Sequence, residues 1–232
     1  LLTSGASAGL AAAFNAPLAG VIFALEELHR NFSIMVLLPS MAAAFTATII
    51  SRAIFGRATI FDIPDLQLLP IGYYGIVILV ALASGLAGVI FNWGLLNIGR
   101  FYSLPCFKRP VQKISFALIC AGILGYFLPE VLGGGNDLIN HLAKAPVSLQ
   151  LLLIFLAGKL IFTLISYGCG VPGGFFLPML VIGALCGSIC AQILIMLGWI
   201  EPAYATNIMV VAMAALFASS VRAPITGTVL IM

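Results

Sequence analysis

The chain has 232 residues, 62% hydrophobic and 7% charged, with a net charge of +3. A soluble domain carries nearer ~25% charged residues, so the composition excludes a soluble fold and defines an integral membrane protein. The positive excess is too small and too scattered to suggest a nucleic-acid partner.

In chain order, Leu1 to Leu28 opens with small residues, Gly5 and Gly9, that allow close helix packing. Asn15 reads as an N-cap, with Pro17 in the first turn of an apolar helix that runs to Glu26-Glu27. At 1.5 Å per residue that helix covers roughly 17 Å, about half the hydrocarbon core. Ser33 to Ser51 is a full span, and 56–69, with Arg57, Asp62, Pro64 and Asp65, is a surface loop. Pro70 to Gly99 is a long span. Arg100, Lys108, Arg109 and Lys113, with no acid among them, mark a cytoplasmic loop. Ile114 to Phe127 is the next helix. Pro129 to Asn136 is a turn followed by a short amphipathic piece to Lys144, and Glu130 and Asp137 read as solvated turn residues. Val147 to Tyr167 is a span interrupted by Lys159, which reads as a helix-end lysine reaching the interface. After a loop from Glu201 to Asn207 come a helix over Ile208–Phe217 and another that begins at Arg222-Ala-Pro. The five cysteines and two histidines show no metal spacing, and Cys186 and Cys190 share one helix face as small packing residues. Neither a disulfide nor a zinc site is expected.

Gly170-Val-Pro-Gly-Gly-Phe-Phe-Leu-Pro-Met-Leu180 breaks the apolar sequence between two spans. Pro178 suits the first turn of a helix running to about Leu197, because its missing N–H would lack an intrahelical partner there. The helix therefore starts inside apolar sequence, with its N–H groups and positive dipole end directed out of it. Gly173 and Gly174 admit a ligand close to the backbone, and no acid lies between Asp137 and Glu201. This fits an anion site built of backbone amides, with no cation nearby. An ordinary glycine–proline break, re-satisfied by neighbouring helices, fits the same spacing.

The end of the chain repeats its beginning. Ala16-Pro-Leu-Ala-Gly-Val-Ile-Phe23 aligns with Ala223-Pro-Ile-Thr-Gly-Thr-Val-Leu230, a weak repeat of the sort transporters contain. Chance similarity between two helix starts is the plainer alternative. The repeat and the apolar termini lead to the expectation that the 232 residues are a piece of a longer protein.

Gly174-x-Phe176-x-Pro178 resembles the GxFxP motif of the CLC chloride channels and chloride/proton antiporters. Ala12 to Glu27 resembles that family's stretch ending in the internal proton glutamate. Pro129-Glu-Val-Leu-Gly-Gly-Gly-Asn136 and Val221-Arg-Ala-Pro-Ile-Thr-Gly227 also match, in the right order. The resemblance, to the prokaryotic type, covers the whole chain.

It implies an all-α integral membrane fold of tilted and re-entrant helices in an antiparallel inverted repeat, incomplete here. Residues 1–55 would end the first repeat, 56–69 would be an extramembrane linker, and 70–232 would form most of the second, truncated at its end. It implies chloride held by backbone amides of Phe175 and Phe176 beside Gly174, and Glu27 as the proton-transfer residue. Chloride is then a substrate, with no cofactor. Protons and membrane lipid are the other partners, the assembly is a homodimer, and the location is the bacterial inner membrane. The family's serine loop, gating glutamate and coordinating tyrosine have no counterpart in this sequence.

Glu27 favours an antiporter over a passive, voltage-gated type of chloride channel, whose members usually carry an apolar residue there. It ends a half-membrane helix where the dipole is negative, and Glu26 adds like-charge repulsion; both disfavour its ionised form. His29 and Arg30 pull the other way if they fold back. A solvated helix-terminal acid is the bland alternative. An intramembrane hydrolase would need facing acids or a Ser/His pair, for which only Ser166 and His141 offer themselves, so no enzyme is expected.

Overall fold

The computed structural model describes residues 1–56, 61, 66–144 and 147–231. Arg57, Asp62, Pro64 and Asp65 of the expected surface loop lie outside the described residues. Two compact units divide the chain, 1–62 with 217–232, and 63–216. The C-terminal stretch thus clusters with the first unit.

In the first unit, α1 (Leu2–Phe14) ends where Asn15 turns left-handed at φ 55°. Asn tolerates that conformation, so Asn15 closes α1 and does not open the next helix, as the sequence had suggested. Its side chain accepts a hydrogen bond from Arg52 Nε. α2 (Pro17–Phe23) has Pro17 in its first turn and passes into a π-helical turn, Ala24–His29, which ends at left-handed Arg30. α3 (Ile34–Phe55) packs on both, and Ala11, Val21, Leu25 and Ala44 form their shared core. Gly5 and Gly9 face open space, contrary to expectation, and α1 buries Ser7 and Ala11 instead. Two residues is about 200° round a helix, so Gly5–Gly9 and Ser7–Ala11 lie on opposite sides.

α10 (Pro224–Ile231) starts as α2 does. Arg222 turns left-handed at φ 63°, and Ala223-Pro224 follows it as Ala16-Pro17 follows Asn15. A shared backbone break supports the repeat more strongly than shared composition.

The second unit holds α4 (Tyr74–Phe101), α5 (Pro110–Phe127), α6 (Asn136–Lys144), α7 (Leu149–Gly168), α8 (Phe176–Met196) and most of α9 (Ala205–Val221). α5 begins four residues before expectation because Pro110 suits a first turn and the Arg109 N–H donates to Gln112 Oε1. α8 is apolar on every side and is the buried helix of the unit. A Cβ on Gly187 would lie 2.6 Å from Met209 Cα, so only glycine lets α8 and α9 approach this closely. Val80, Ala191, Leu194, Ile208 and Ala212 fill the core between α4, α8 and α9.

Among the described residues, six helices are long and apolar enough to cross a membrane. Their outer faces stay apolar and exposed: α5 buries only Ala117, and α4 exposes Ile78, Leu82, Leu86, Ile90 and Trp93. In water such faces would be a liability, and their apolar character fits helices that span a bilayer. The described residues contain no strand.

Candidate functional site

α7 ends at Gly168, Gly170 turns the chain at φ 83°, and 170–175 run outside any helix until α8 starts at Phe176. Phe175 takes the N-cap position, and no side chain caps the helix. The Met179 N–H donates to the Phe175 carbonyl at 3.0 Å, and Pro178 contributes no N–H. The Phe175 ring packs edge-on against Tyr167, with centroids 5.5 Å apart.

This break lines a cavity of about 490 Å³ together with parts of α5, α7 and Gly133. Gly174, Phe175 and Pro178 are in its wall, and Phe176 is the first residue of the helix that starts there. No Asp or Glu is among the lining residues. The positive end of α8 therefore faces a space without a competing carboxylate.

Lys159 also lines the cavity, which corrects two expectations. It does not reach the membrane surface: it lies mid-way along α7, is fully buried, and donates to the carbonyls of Val131 and Gly133 at 2.8 Å each. Nor is the break without a cation. A mid-span lysine has about 15 Å of hydrocarbon on either side, more than its side chain can cross. Its position in the Val147–Tyr167 run already carried that signal.

The corner beneath α7 is fixed by Tyr102, whose hydroxyl donates to the Ile165 carbonyl at 2.8 Å. Tyr102 packs with Phe101, Phe107 and Phe116, and Lys113 Nζ lies 5.9 Å from its ring centroid. Burial, with smaller contributions from Cys169 and Cys120, pushes its phenol up to about 12, which keeps it a neutral donor.

Glu27 belongs to the first unit. Its Oε1 lies 3.7 Å from Arg30 Nη2, so Arg30 does fold back onto the helix end. Glu26 beside it is differently occupied: its carboxylate accepts the N–H groups of Ile225 and Thr226 and the Thr226 hydroxyl. Sequence reasoning missed this role, because the partner lies 200 residues away. Ser166 and His141 line different cavities, and no hydrolase pair forms from them. The five cysteines are free.

Broken apolar helices around an uncapped helix start define a membrane protein with a candidate anion site in its interior. The family profile described as voltage gated chloride channel matches residues 1–232, and the chain belongs to that family, the CLC proteins. The chain is 36% identical over 240 residues to the H(+)/Cl(-) exchange transporter ClcA of Vibrio vulnificus (strain YJ016), covering 100% of this chain and 50% of the relative. It is 36% identical over 243 residues to the protein of that name in Salmonella agona (strain SL483), with the same coverage. Among solved structures it resembles a slow cyanobacterial Cl-/H+ antiporter, with a TM-score of 0.89, 29% identity, and coverage of 99% of this chain and 54% of that one. The chain thus spans about half the length of the relatives it matches.

Proposed function

We propose that the chain is the part of a proton-coupled chloride antiporter that carries the central anion site and the internal proton residue. The backbone N–H groups of Phe175 and Phe176 hold chloride, and Gly174 lets the ion come close. Amide dipoles replace the ion's water without a fixed countercharge in contact, so the ion is held weakly enough to leave. Glu27 passes protons between the cytoplasm and the pathway. The observation that carries this reading is the uncapped start of α8 in an acid-free cavity. Exchange, and not passive conduction, is favoured by the relatives, which are named as exchangers.

On this reading, chloride and protons are the substrates, no cofactor or enzymatic step is involved, and the setting is the bacterial inner membrane. The whole protein is a homodimer joined through the helices of Ala16–Leu28, Ile34–Ile50 and the one that starts at Ala223. Residues 1–55 close a first inverted repeat, 56–69 link it to the second, and 70–232 supply most of that second repeat.

The test is the full-length protein in liposomes, with chloride and pH recorded together. A chloride gradient should drive protons uphill. Chloride flux that leaves the proton gradient untouched would make the protein a passive channel.

A further inference from the structure

We propose that Lys159 is a positioning residue for the anion site: it pins the glycine-rich turn of Pro129–Gly135 against the first turns of α8 and so fixes the aim of the Phe175 and Phe176 amides. The inference rests on reading the start of α8 as the anion site.

A buried ammonium is costly unless something compensates it. Among the described residues no carboxylate pairs with Lys159; its two hydrogen bonds go to the carbonyls of Val131 and Gly133. Those carbonyls bracket a turn whose buried Val131 side chain packs against Gly158 of α7, whereas Gly133, Gly134 and Gly135 have no side chain to hold them. After a short 3₁₀ turn over Pro129–Val131, Gly133 and Gly135 both take positive φ, at 64° and 85°. Lys159 ties this backbone to the middle of α7.

The other side of the turn rests on α8. A Cβ on Gly134 would lie 3.7 Å from Leu177 Cβ, and one on Gly135 would lie 2.7 Å from Val181 Cγ2 and 3.2 Å from Lys159 Nζ. Leu177 and Val181 are four residues apart, on one face of α8. The contact therefore runs from Lys159 through the turn to Leu177, the residue next to Phe176. Lys159, Gly133 and Phe175 line the same cavity, so a shift of the turn acts on the helix start and on the space the anion would fill. Small displacements of binding dipoles are expensive, which is why support behind a site matters.

Two substitutions perturb the contact from opposite sides. Lys159→Met removes the tie. Gly135→Ala keeps the lysine but drives a Cβ into Val181 at a positive φ. A third tool restores it: the 3.7 Å Cβ separation suits a disulfide, for which about 3.8 Å is typical. A Gly134→Cys/Leu177→Cys pair can thus join turn to helix without any charge.

The experiment is calorimetric titration of chloride into the full-length protein. Lys159→Met and Gly135→Ala should each weaken chloride binding on the order of tenfold, and the double variant should be no weaker than the weaker single. The cysteine pair in the Lys159→Met background should recover affinity when oxidised and lose it when reduced. Lys159→Arg, which keeps the charge but puts a larger, planar guanidinium where a compact ammonium is fully buried, should also bind more weakly than wild type.

Wild-type affinity in Lys159→Arg and Gly135→Ala, or no recovery on oxidation, would mean that the lysine acts through its charge alone and would overturn the proposal. Unchanged affinity in Lys159→Met would leave the lysine without any role at the site. If the wild type itself binds no chloride, the anion-site reading fails first and this inference falls with it.

Discussion

The carboxylate of Glu26 receives both the N–H and the hydroxyl of Thr226, each at 2.8 Å, and the Ile225 N–H at 3.1 Å. A residue at the end of one helix thereby caps the start of another, α10. The cap is a carboxylate at the positive end of a helix, a favourable pairing to which the Thr226 hydroxyl of α10 adds a side-chain bond. Among the described residues, the polar contact of Glu27, one position on, is with exposed Arg30. Two adjacent acids thus have different tasks: one holds structure, and the other stays available.

Glu26→Ala should therefore destabilise the full-length protein by about 0.5–2 kcal/mol, the range for losing a helix cap. Glu26→Gln, which keeps an acceptor oxygen, should cost less. Thermal unfolding in detergent is the check, and an unchanged midpoint for Glu26→Ala would show that the cap contributes nothing.

Glu27→Gln should abolish proton transport while chloride still moves. The Arg30 contact does not prevent a proton role, because a 3.7 Å pair to an exposed arginine is worth little and opens readily. Chloride and proton fluxes measured together on the full-length variant decide the matter. Unchanged coupling would leave Glu27 an ordinary surface carboxylate.

Tyr102→Phe should cost about 1 kcal/mol for the lost bond to Ile165 and should also change the response to alkali. The folded-state value of about 12 lies above the ordinary 10. The contribution of the buried phenol is thus full below pH 10 and is lost as the pH rises towards 12, since the unfolded chain ionises first. Stability measured from pH 9 to 11 should fall less steeply in the variant than in wild type. Equal slopes would mean that Tyr102 is not the group responsible.

Much of this was legible in the sequence. The Gly170–Pro178 break and the span order follow from glycine, proline and apolar run length, which act locally. The Gly183–Gly187 pair makes a close helix contact, whereas Gly5–Gly9 makes none, because small residues permit close approach without saying which face meets a partner. Asn15 looked like an N-cap because the same residue type also suits a left-handed helix end, and only the fold separates the two. The contacts of Lys159 and of Glu26 escape the sequence for a shared reason. Their partners lie far along the chain and are mostly backbone groups: the Val131 and Gly133 carbonyls for one, and the Ile225 and Thr226 N–H groups, with the Thr226 hydroxyl, for the other. Backbone acceptors and donors leave no mark in a sequence.

The most direct test of the central claim is anomalous scattering from crystals of the full-length protein grown or soaked in bromide. A bromide peak should lie within hydrogen-bonding distance of the Phe175 and Phe176 nitrogens. Bromide bound at Lys159 or at the Arg100–Lys113 loop, with none at those two amides, would contradict it.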